Sequence, residues 1–440
     1  MEAADIIIKA GHVLTMDNAL TVIENGAVAV RGERIAAVGP ADDVVKRFSS
    51  EKTIGGEGYI IFPGLVNTHT HSPMVYFRGL ADDLPLKEWL EKHIWPAEEK
   101  WLSPEFVADA VELACLEMVR SGITAFNDMY FYGGEIASTT KKIGMRAMVG
   151  AGILDFPTRT AQNPDEYLEK AEAFIRDWKD DGLIRPCVAP HSPYACGPET
   201  LRKAKALSEK HSVLLHIHLS ETEWEVGQLM ALYRSRPVTF LDSIGFFDES
   251  VTAAHCIWVE DEEIEILAKR KVGVSHCMES NLKLASGFAP VVSMLDKGIR
   301  VTFGTDGAAS NNDLNILSEM STTAKVHKAL AKDPTALNSR QVMLMATRWG
   351  AEALGLGDVC GSLEAGKAAD IVIADVRKPH LMPMYDPYSH IVYSMSAADI
   401  DSVIINGICV LQNRRLLTAD EEEILRKAAG WGRKIMADRT

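Results

Sequence analysis

The chain has 440 residues, 47% of them apolar and 24% charged, with a net charge of −15 and a pI of about 5.4. That length predicts one large domain with a smaller one attached. The acidic balance argues against nucleic acid and anionic membrane as partners, and no apolar run reaches the roughly 18 residues of a membrane span.

The N-terminus, MEAADIIIKAGHVLTMD, carries early acids and no basic region, so it does not read as a signal peptide. Residues 1–60 read as short β segments broken by glycine: DIIIKAGHVLTMD, GAVAVRGERIAAVG and GYIIFPG. The same texture returns in AADIVIADV (368–376) and DSVIINGICVLQNRRLL (401–417). A sheet begun at one end of the chain and completed at the other accounts for both. Helical spacing then runs from Asp420 onward.

Between these ends, strand-like runs alternate with amphipathic helical stretches such as FVADAVELACLEMVRSG and ETLRKAKALSEKH. The candidate strands fall at 60–71, 122–130, 145–154, 185–192, 213–221, 251–258, 272–278 and 299–307. These βα units over 61–365 predict an α/β fold, a (β/α)8 TIM barrel. The flanking β-rich unit is expected to begin in 1–60 and to be completed in 366–440, the latter with the terminal helix. An open doubly wound sheet would carry a Gly-rich phosphate turn, and neither G-x-G-x-x-G nor G-x-x-x-x-G-K-[ST] occurs. Seven scattered cysteines without a C-x-x-C fit reduced thiols of a cytoplasmic enzyme.

Barrel chemistry sits at the C-terminal ends of the strands. The first candidate strand ends His69-Thr70-His71, the fourth Pro190-His191-Ser192, and the fifth reads His216-Ile217-His218-Leu219-Ser220-Glu221. The sixth ends with His255, the seventh with His276 and the eighth with Asp306. Alternation puts Asn67, His69 and His71 on one face and Val66, Thr68 and Thr70 on the other. A catalytic zinc needs several protein ligands and keeps a water. His69, His71 and His218 supply nitrogens and Asp306 a carboxylate. His216, deeper in its strand, reads as a hydrogen-bonded residue behind the ligands. His255 reads as a ligand or a proton handler, and His276 as structural. Zinc is the default metal, with iron (Fe2+) and manganese (Mn2+) also suited to these ligands.

PGLVNTHTH, HIHLSE, TAAHC and GTDGAASNN resemble the amidohydrolase superfamily, as do the flanking GERIAAVG and GSLEAGKAADIVIAD. The resemblance implies that the flanking unit is a small β-sandwich, its N-terminal part in 1–60 and its C-terminal part in 366–440. No lysine ends the fourth strand, and His191 stands there instead, which resembles the one-metal deaminase and chlorohydrolase branch. Within it, FRGLADDLPLKEWLEKHIWPAE, APHSPYACGPE, SNLKLASGFAPV and GTDGAASNNDLN are most similar to the S-adenosylhomocysteine / 5′-methylthioadenosine deaminase family. Cys277-Met278 stands where Asn-Pro is commoner in that family.

The resemblance implies substrate contacts at Trp89, Glu98, His191 and Ser310, with Glu98 gripping the ribose hydroxyls. Arg159 is the candidate partner for a homocysteine carboxylate. Without it, Trp89 would be a helix-packing aromatic and Glu98 a solvated charge. The implied reaction is hydrolytic deamination of an adenine ring, with 5′-methylthioadenosine, S-adenosylhomocysteine, adenosine and 5′-deoxyadenosine as candidate nucleosides. Asp306 accepts a proton from the water, His255 orients the nucleophile, and Glu221 shuttles a proton to the ring. One alternative is guanine, cytosine or triazine hydrolysis on the same centre; another is a barrel scaffold without chemistry. The resemblance also implies a homo-oligomer.

Overall fold

A computed structural model describes residues 1–438. Its central sheet is eight parallel strands in chain order. They are β1 (Leu65–Thr70), β2 (Ile123–Tyr130), β3 (Arg146–Ile153) and β4 (Ile184–Pro190), followed by β5 (Leu215–Leu219), β6 (Val251–His255), β7 (Gly273–His276) and β8 (Val301–Phe303). The seam between β8 and β1 is stitched by the Asp306 N–H, which donates to the His69 carbonyl at 3.0 Å, and by Thr68 Oγ1, which donates to the Phe303 carbonyl at 2.9 Å. The α/β barrel expected from the βα spacing is therefore present.

Local sequence sets the helices around it. Ser103 caps helix Pro104–Arg120 by accepting from the Phe106 N–H, with proline at the first helical position. Phe106, Val107, Ala110, Val111, Ala114, Met118 and Val119 form that helix's buried stripe. Asn163, Thr222 and Asn338 cap later helices in the same way.

The first candidate strand, 60–71, proves to be two strands. Thr53–Pro63 belongs to the flanking sheet and β1 starts at Leu65. Gly64 makes the crossing possible, because a Cβ there would lie 1.9 Å from Thr124 Oγ1.

The alternation expected along β1 also fails. Thr68 Oγ1 lies 2.6 Å from Ser275 Oγ on β7, and His69 Nδ1 lies 2.7 Å from His216 Nε2 on β5. Neither strand neighbours β1, so both consecutive side chains point into the barrel. The register against β2 shifts between Asn67 and Thr70, an irregularity that turns the strand end inward. Asn67 does not share a face with the histidines. Its Nδ2 donates to Thr305 Oγ1 at 2.8 Å and its Oδ1 accepts from the Thr305 N–H at 3.1 Å, which pins the seam.

The chain ends build a second eight-stranded sheet, ordered 415–416, 408–412, 400–405, 371–375, 53–63, 6–14, 22–31 and 34–40. Strand Thr53–Pro63 joins the two end segments: it runs parallel to Ile6–Leu14 and antiparallel to Ile371–Asp375. Ile6, Ile8, Val28 and Val30 share one core with Ile371, Ile373 and Ile404. Ile60, Phe62, Val372, Ala374 and Val403 face the other way and join the barrel's core. Helix Glu421–Ala437, capped by Asp420, lays Trp431 against Phe106 with ring centroids 5.1 Å apart.

Candidate metal centre and substrate cavity

Among the described residues, His69, His71, His218 and Asp306 form a cluster whose ligand atoms all lie within 4.8 Å of one another. His69, His71 and Asp306 come from the β1–β8 seam and His218 from β5 across the barrel. Gly304 makes room for them, because a Cβ there would lie 2.7 Å from the His69 Cβ.

Each imidazole is anchored through one nitrogen so that the other faces the cluster. His69 Nδ1 meets His216 Nε2 at 2.7 Å, His71 Nδ1 donates to the Met129 carbonyl at 2.5 Å, and His218 Nδ1 donates to the His191 carbonyl at 2.7 Å. Such outer bonds fix tautomer and ring orientation in metal sites. Opposite them, His71 Nε2 lies 3.2 Å from His218 Nε2, and Asp306 Oδ1 lies 3.2 Å from His71 Nε2 and 3.4 Å from His69 Nε2.

The residues fit a metal. A tetrahedral ion bound at about 2.0–2.1 Å spaces its ligands about 3.3 Å apart. His69 Nε2 is buried and makes no hydrogen bond, which a lone pair aimed at an ion explains. Burial raises the Asp306 carboxyl, but the adjacent His69 and His71 imidazoles outweigh that and hold it well below the usual carboxylate range. The backbone is left-handed at Asp306 (φ 61°) and His255 (φ 70°). Such conformations cost about 1–3 kcal/mol in non-glycine residues and persist where the surroundings enforce them.

Glu221 and His255 sit beside the cluster, 3.9 Å apart. Burial raises the Glu221 carboxyl above its ordinary value, with the nearby His255 opposing. The segment carrying Glu221 is held by Glu225, whose carboxylate accepts from the Ser220 and Glu221 N–H groups at 2.9 Å each.

His71, His218 and Asp306 line the floor of a cavity of about 560 Å³, and His69 is fully buried beside them. The remaining candidate residues, Trp89, Glu98, Arg159, His191 and Ser310, line the same cavity. Trp89 is buried and its indole N–H donates to the Ala81 carbonyl at 3.0 Å. Arg159 Nη1 donates to the Leu102 carbonyl at 3.2 Å. The His191 ring lies 4.6 Å from that of His218, and Ser310 Oγ donates to Asp306 Oδ2 at 2.7 Å. Glu98 is buried in a wall that also holds Trp95, Leu102, Leu154 and Phe156. Its Oε1 accepts from Tyr130 OH at 2.6 Å. Burial raises the Glu98 carboxyl to about 7, against the opposing Tyr130 bond.

Three residues carry no signal in the His/Asp pattern but touch the site: Tyr130, Ser280 and Asn281. Tyr130 ends β2, so a search of strand ends for any polar residue would find it. Ser280 and Asn281 lie in helix Met278–Lys283, which follows β7. Ser280 Oγ donates to Asp306 Oδ2 at 2.7 Å, and Asn281 Oδ1 lies 2.9 Å from His255 Nδ1. Cys277 Sγ falls within 4.8 Å of ligand atoms of His69 and His255. His276 points the other way, its Nε2 3.3 Å from His327 Nε2.

Fold and site together define a (β/α)8 barrel with a single-metal centre at the C-terminal ends of its strands. Residues 60–410 match the amidohydrolase family, and residues 26–48 match an imidazolonepropionase-like composite domain of bacteria. The chain belongs to the amidohydrolase family. It is 52% identical over 431 residues to the 5-methylthioadenosine/S-adenosylhomocysteine deaminase of Thermodesulfovibrio yellowstonii, spanning 98% of each chain. It is 44% identical to the 5′-deoxyadenosine deaminase of Methanosarcina acetivorans, spanning 99% of each. A crystal structure of an adenosine deaminase from Xanthomonas campestris with bound zinc superposes with a TM-score of 0.97 at 40% identity, covering 99% of both chains.

Proposed function

We propose that this chain is a zinc-dependent deaminase that hydrolyses the adenine ring of 5′-methylthioadenosine and S-adenosylhomocysteine to hypoxanthine, releasing ammonia. Adenosine and 5′-deoxyadenosine are further candidate substrates. The observation that carries the reading is the division of one cavity: ligands for a metal at one end, and the buried carboxyl of Glu98, held by Tyr130, in a wall that also holds Trp95, Leu102, Leu154 and Phe156. A flat base suits apolar walls, and a ribose diol suits a carboxylate with an uncommitted oxygen. The similarity to relatives named for such substrates supports the same reading.

His69, His71, His218 and Asp306 are the proposed ligands, and zinc bound there would lower the pKa of a water from 15.7 toward about 7. Asp306 takes a proton from the attacking water, and His255 orients that water through Nε2. Glu221, its carboxyl raised by burial, hands a proton to ring N1 as the C6–O bond forms. The C6–N bond then breaks as the C6 carbonyl forms: the amino group leaves as ammonia with the proton that Asp306 took from water, and the C6 hydroxyl proton returns to Glu221. His191, Ser310, Trp89 and Glu98 hold the nucleoside so that C6 stays over the metal centre, and Arg159 meets the 5′ substituent. With seven free, buried cysteines the protein suits a reducing compartment, the cytoplasm. No helix among the described residues is long and apolar enough to cross a membrane. A homo-oligomer is part of the proposal by family resemblance.

Ammonia release from zinc-loaded protein tests the reading on 5′-methylthioadenosine, S-adenosylhomocysteine, adenosine, guanine, cytosine and an aminotriazine. Turnover of the first two is expected, with the ultraviolet change of adenine to hypoxanthine. Silence on every adenosine, with activity on a free base or triazine, would overturn the substrate and leave the metal centre standing.

A further inference from the structure

Two consecutive residues of helix Met278–Lys283 reach the two groups that handle the water. Ser280 Oγ donates to Asp306 Oδ2, which leaves Oδ1 to face His69 and His71. Asn281 Oδ1 lies 2.9 Å from His255 Nδ1. Both bonds are buried. The helix is held from behind by Glu319, whose carboxylate accepts from the Glu279 N–H at 3.3 Å and from Asn311 Nδ2 at 2.9 Å. Asn311 Nδ2 also donates to the carbonyl of Thr305, next to Asp306. One buried carboxylate thus fixes the helix and the Asp306 loop relative to each other.

A neutral imidazole has one N–H and one lone pair, and the bond made by one nitrogen decides the state of the other. A side-chain amide oxygen accepts only. With Asn281 Oδ1 at His255 Nδ1, the proton sits on Nδ1 and the lone pair on Nε2. Nε2 is the nitrogen that faces Glu221 across the site.

We propose that Asn281 is a positioning residue of this centre, holding His255 in the tautomer whose Nε2 is an open acceptor toward the attacking water. Neither ring nitrogen of His255 needs another partner for this. The opposite orientation of the amide would place an N–H donor against Nδ1, put the ring proton on Nε2 and turn the same histidine into a donor. The inference rests on the deaminase reading for its effect on rate, but the tautomer itself does not depend on the substrate.

The test uses zinc-loaded protein labelled with 15N-histidine, with the His255 signals identified by their loss in His255→Gln. The 15N shifts report which ring nitrogen carries the proton. The expected result is a protonated Nδ1 in the parent protein. Asn281→Leu keeps the branched heavy-atom shape, removes the acceptor and is expected to lower kcat about 10²-fold with KM nearly unchanged. Asn281→Asp restores an acceptor that cannot donate, and is expected to recover most of kcat and the parent tautomer. A parent His255 protonated on Nε2 would overturn the proposal. So would an Asn281→Leu enzyme with parental kcat, or an Asn281→Asp enzyme as slow as Asn281→Leu. Where Asn281→Leu does not fold, the parent spectrum and the aspartate variant decide. A protein silent on every adenosine but with Nδ1 protonated would overturn the substrate reading and leave the tautomer assignment in place.

Discussion

The two ends of the barrel bury polar groups in opposite ways. At the N-terminal end, Arg146 opens β3 and reaches into the flanking sheet. Its Nε donates to Asp370 Oδ2 at 2.7 Å, its Nη1 to the Gly182 carbonyl at 3.1 Å and its Nη2 to Asn406 Oδ1 at 2.5 Å. Asp370 Oδ1 also accepts from the Asn406 N–H at 2.7 Å. Both side chains of the ion pair are almost fully enclosed, and the guanidinium and carboxylate find partners on every side. At the C-terminal end, His69 Nε2 is buried without a hydrogen bond, Glu98 has one partner, and Asp306 and His255 sit in left-handed backbone. Satisfied polar groups join the barrel to the flanking sheet; the incompletely satisfied, strained ones stand ready for a metal and a substrate. The difference separates architecture from chemistry in a protein that buries charge at both ends.

That contrast can be broken by substitution. The largest effect is expected at the rim. Asp306→Asn should lower turnover by about 10³–10⁴-fold, roughly 4–5.5 kcal/mol, while leaving the thermal midpoint of the metal-replete protein close to the parent's. Ammonia release beside a metal assay checks it, and a near-normal rate at full metal content would remove Asp306 from proton transfer. Arg146→Met should do the reverse. Leaving Asp370 buried without its partner costs about 3–5 kcal/mol of stability, read in denaturant, with kcat per folded molecule unchanged. A large loss of kcat in the folded fraction would mean that the two ends are coupled.

Glu98→Gln should raise KM for nucleosides about tenfold, near 1.4 kcal/mol, and leave free bases almost untouched; equal losses on both would take Glu98 out of ribose recognition. The same substitution should stabilise the protein at neutral pH. Burial raises the Glu98 carboxyl from an ordinary 4.5 to about 7. The folded state therefore holds a proton that the unfolded chain has lost, and this group's contribution falls as pH climbs from about 4.5 to about 7. Removing the charge should return roughly 1–3 kcal/mol above pH 7, whereas removing Arg146 only destabilises.

The smallest effect concerns Tyr130. Its hydroxyl bond favours the ionised Glu98, so Tyr130→Phe should move the acid limb of the nucleoside KM profile to higher pH by up to about one unit. An unmoved limb would mean that Tyr130 does not tune Glu98.

Much of this arrangement is legible in the sequence, for a physical reason. A βα repeat imposes its own periodicity, and a parallel barrel presents one set of strand ends to the site. His69, His71, His218, His255 and Asp306 therefore announce themselves as polar groups closing apolar runs. The two β-rich ends are legible for the same reason, since their alternation is local.

Other features depend on contacts between distant segments. Alternation places Thr68 and His69 on opposite faces; only the shift in register against β2, forced where β1 meets β8 and Asp306, turns both inward. Gly64 looks like any turn glycine until Thr124 fills the space beside it. Tyr130 looks like an ordinary polar residue until folding brings it to Glu98, and the motif SNLKLASGFAPV marks Ser280 and Asn281 without telling that they meet Asp306 and His255. The repeat, the ligand types and the strand ends that carry them are readable from the chain alone, because they follow from the period of the backbone. Tertiary structure alone decided which nitrogen of each histidine faces the centre, because that rests on hydrogen bonds between residues dozens to hundreds of positions apart.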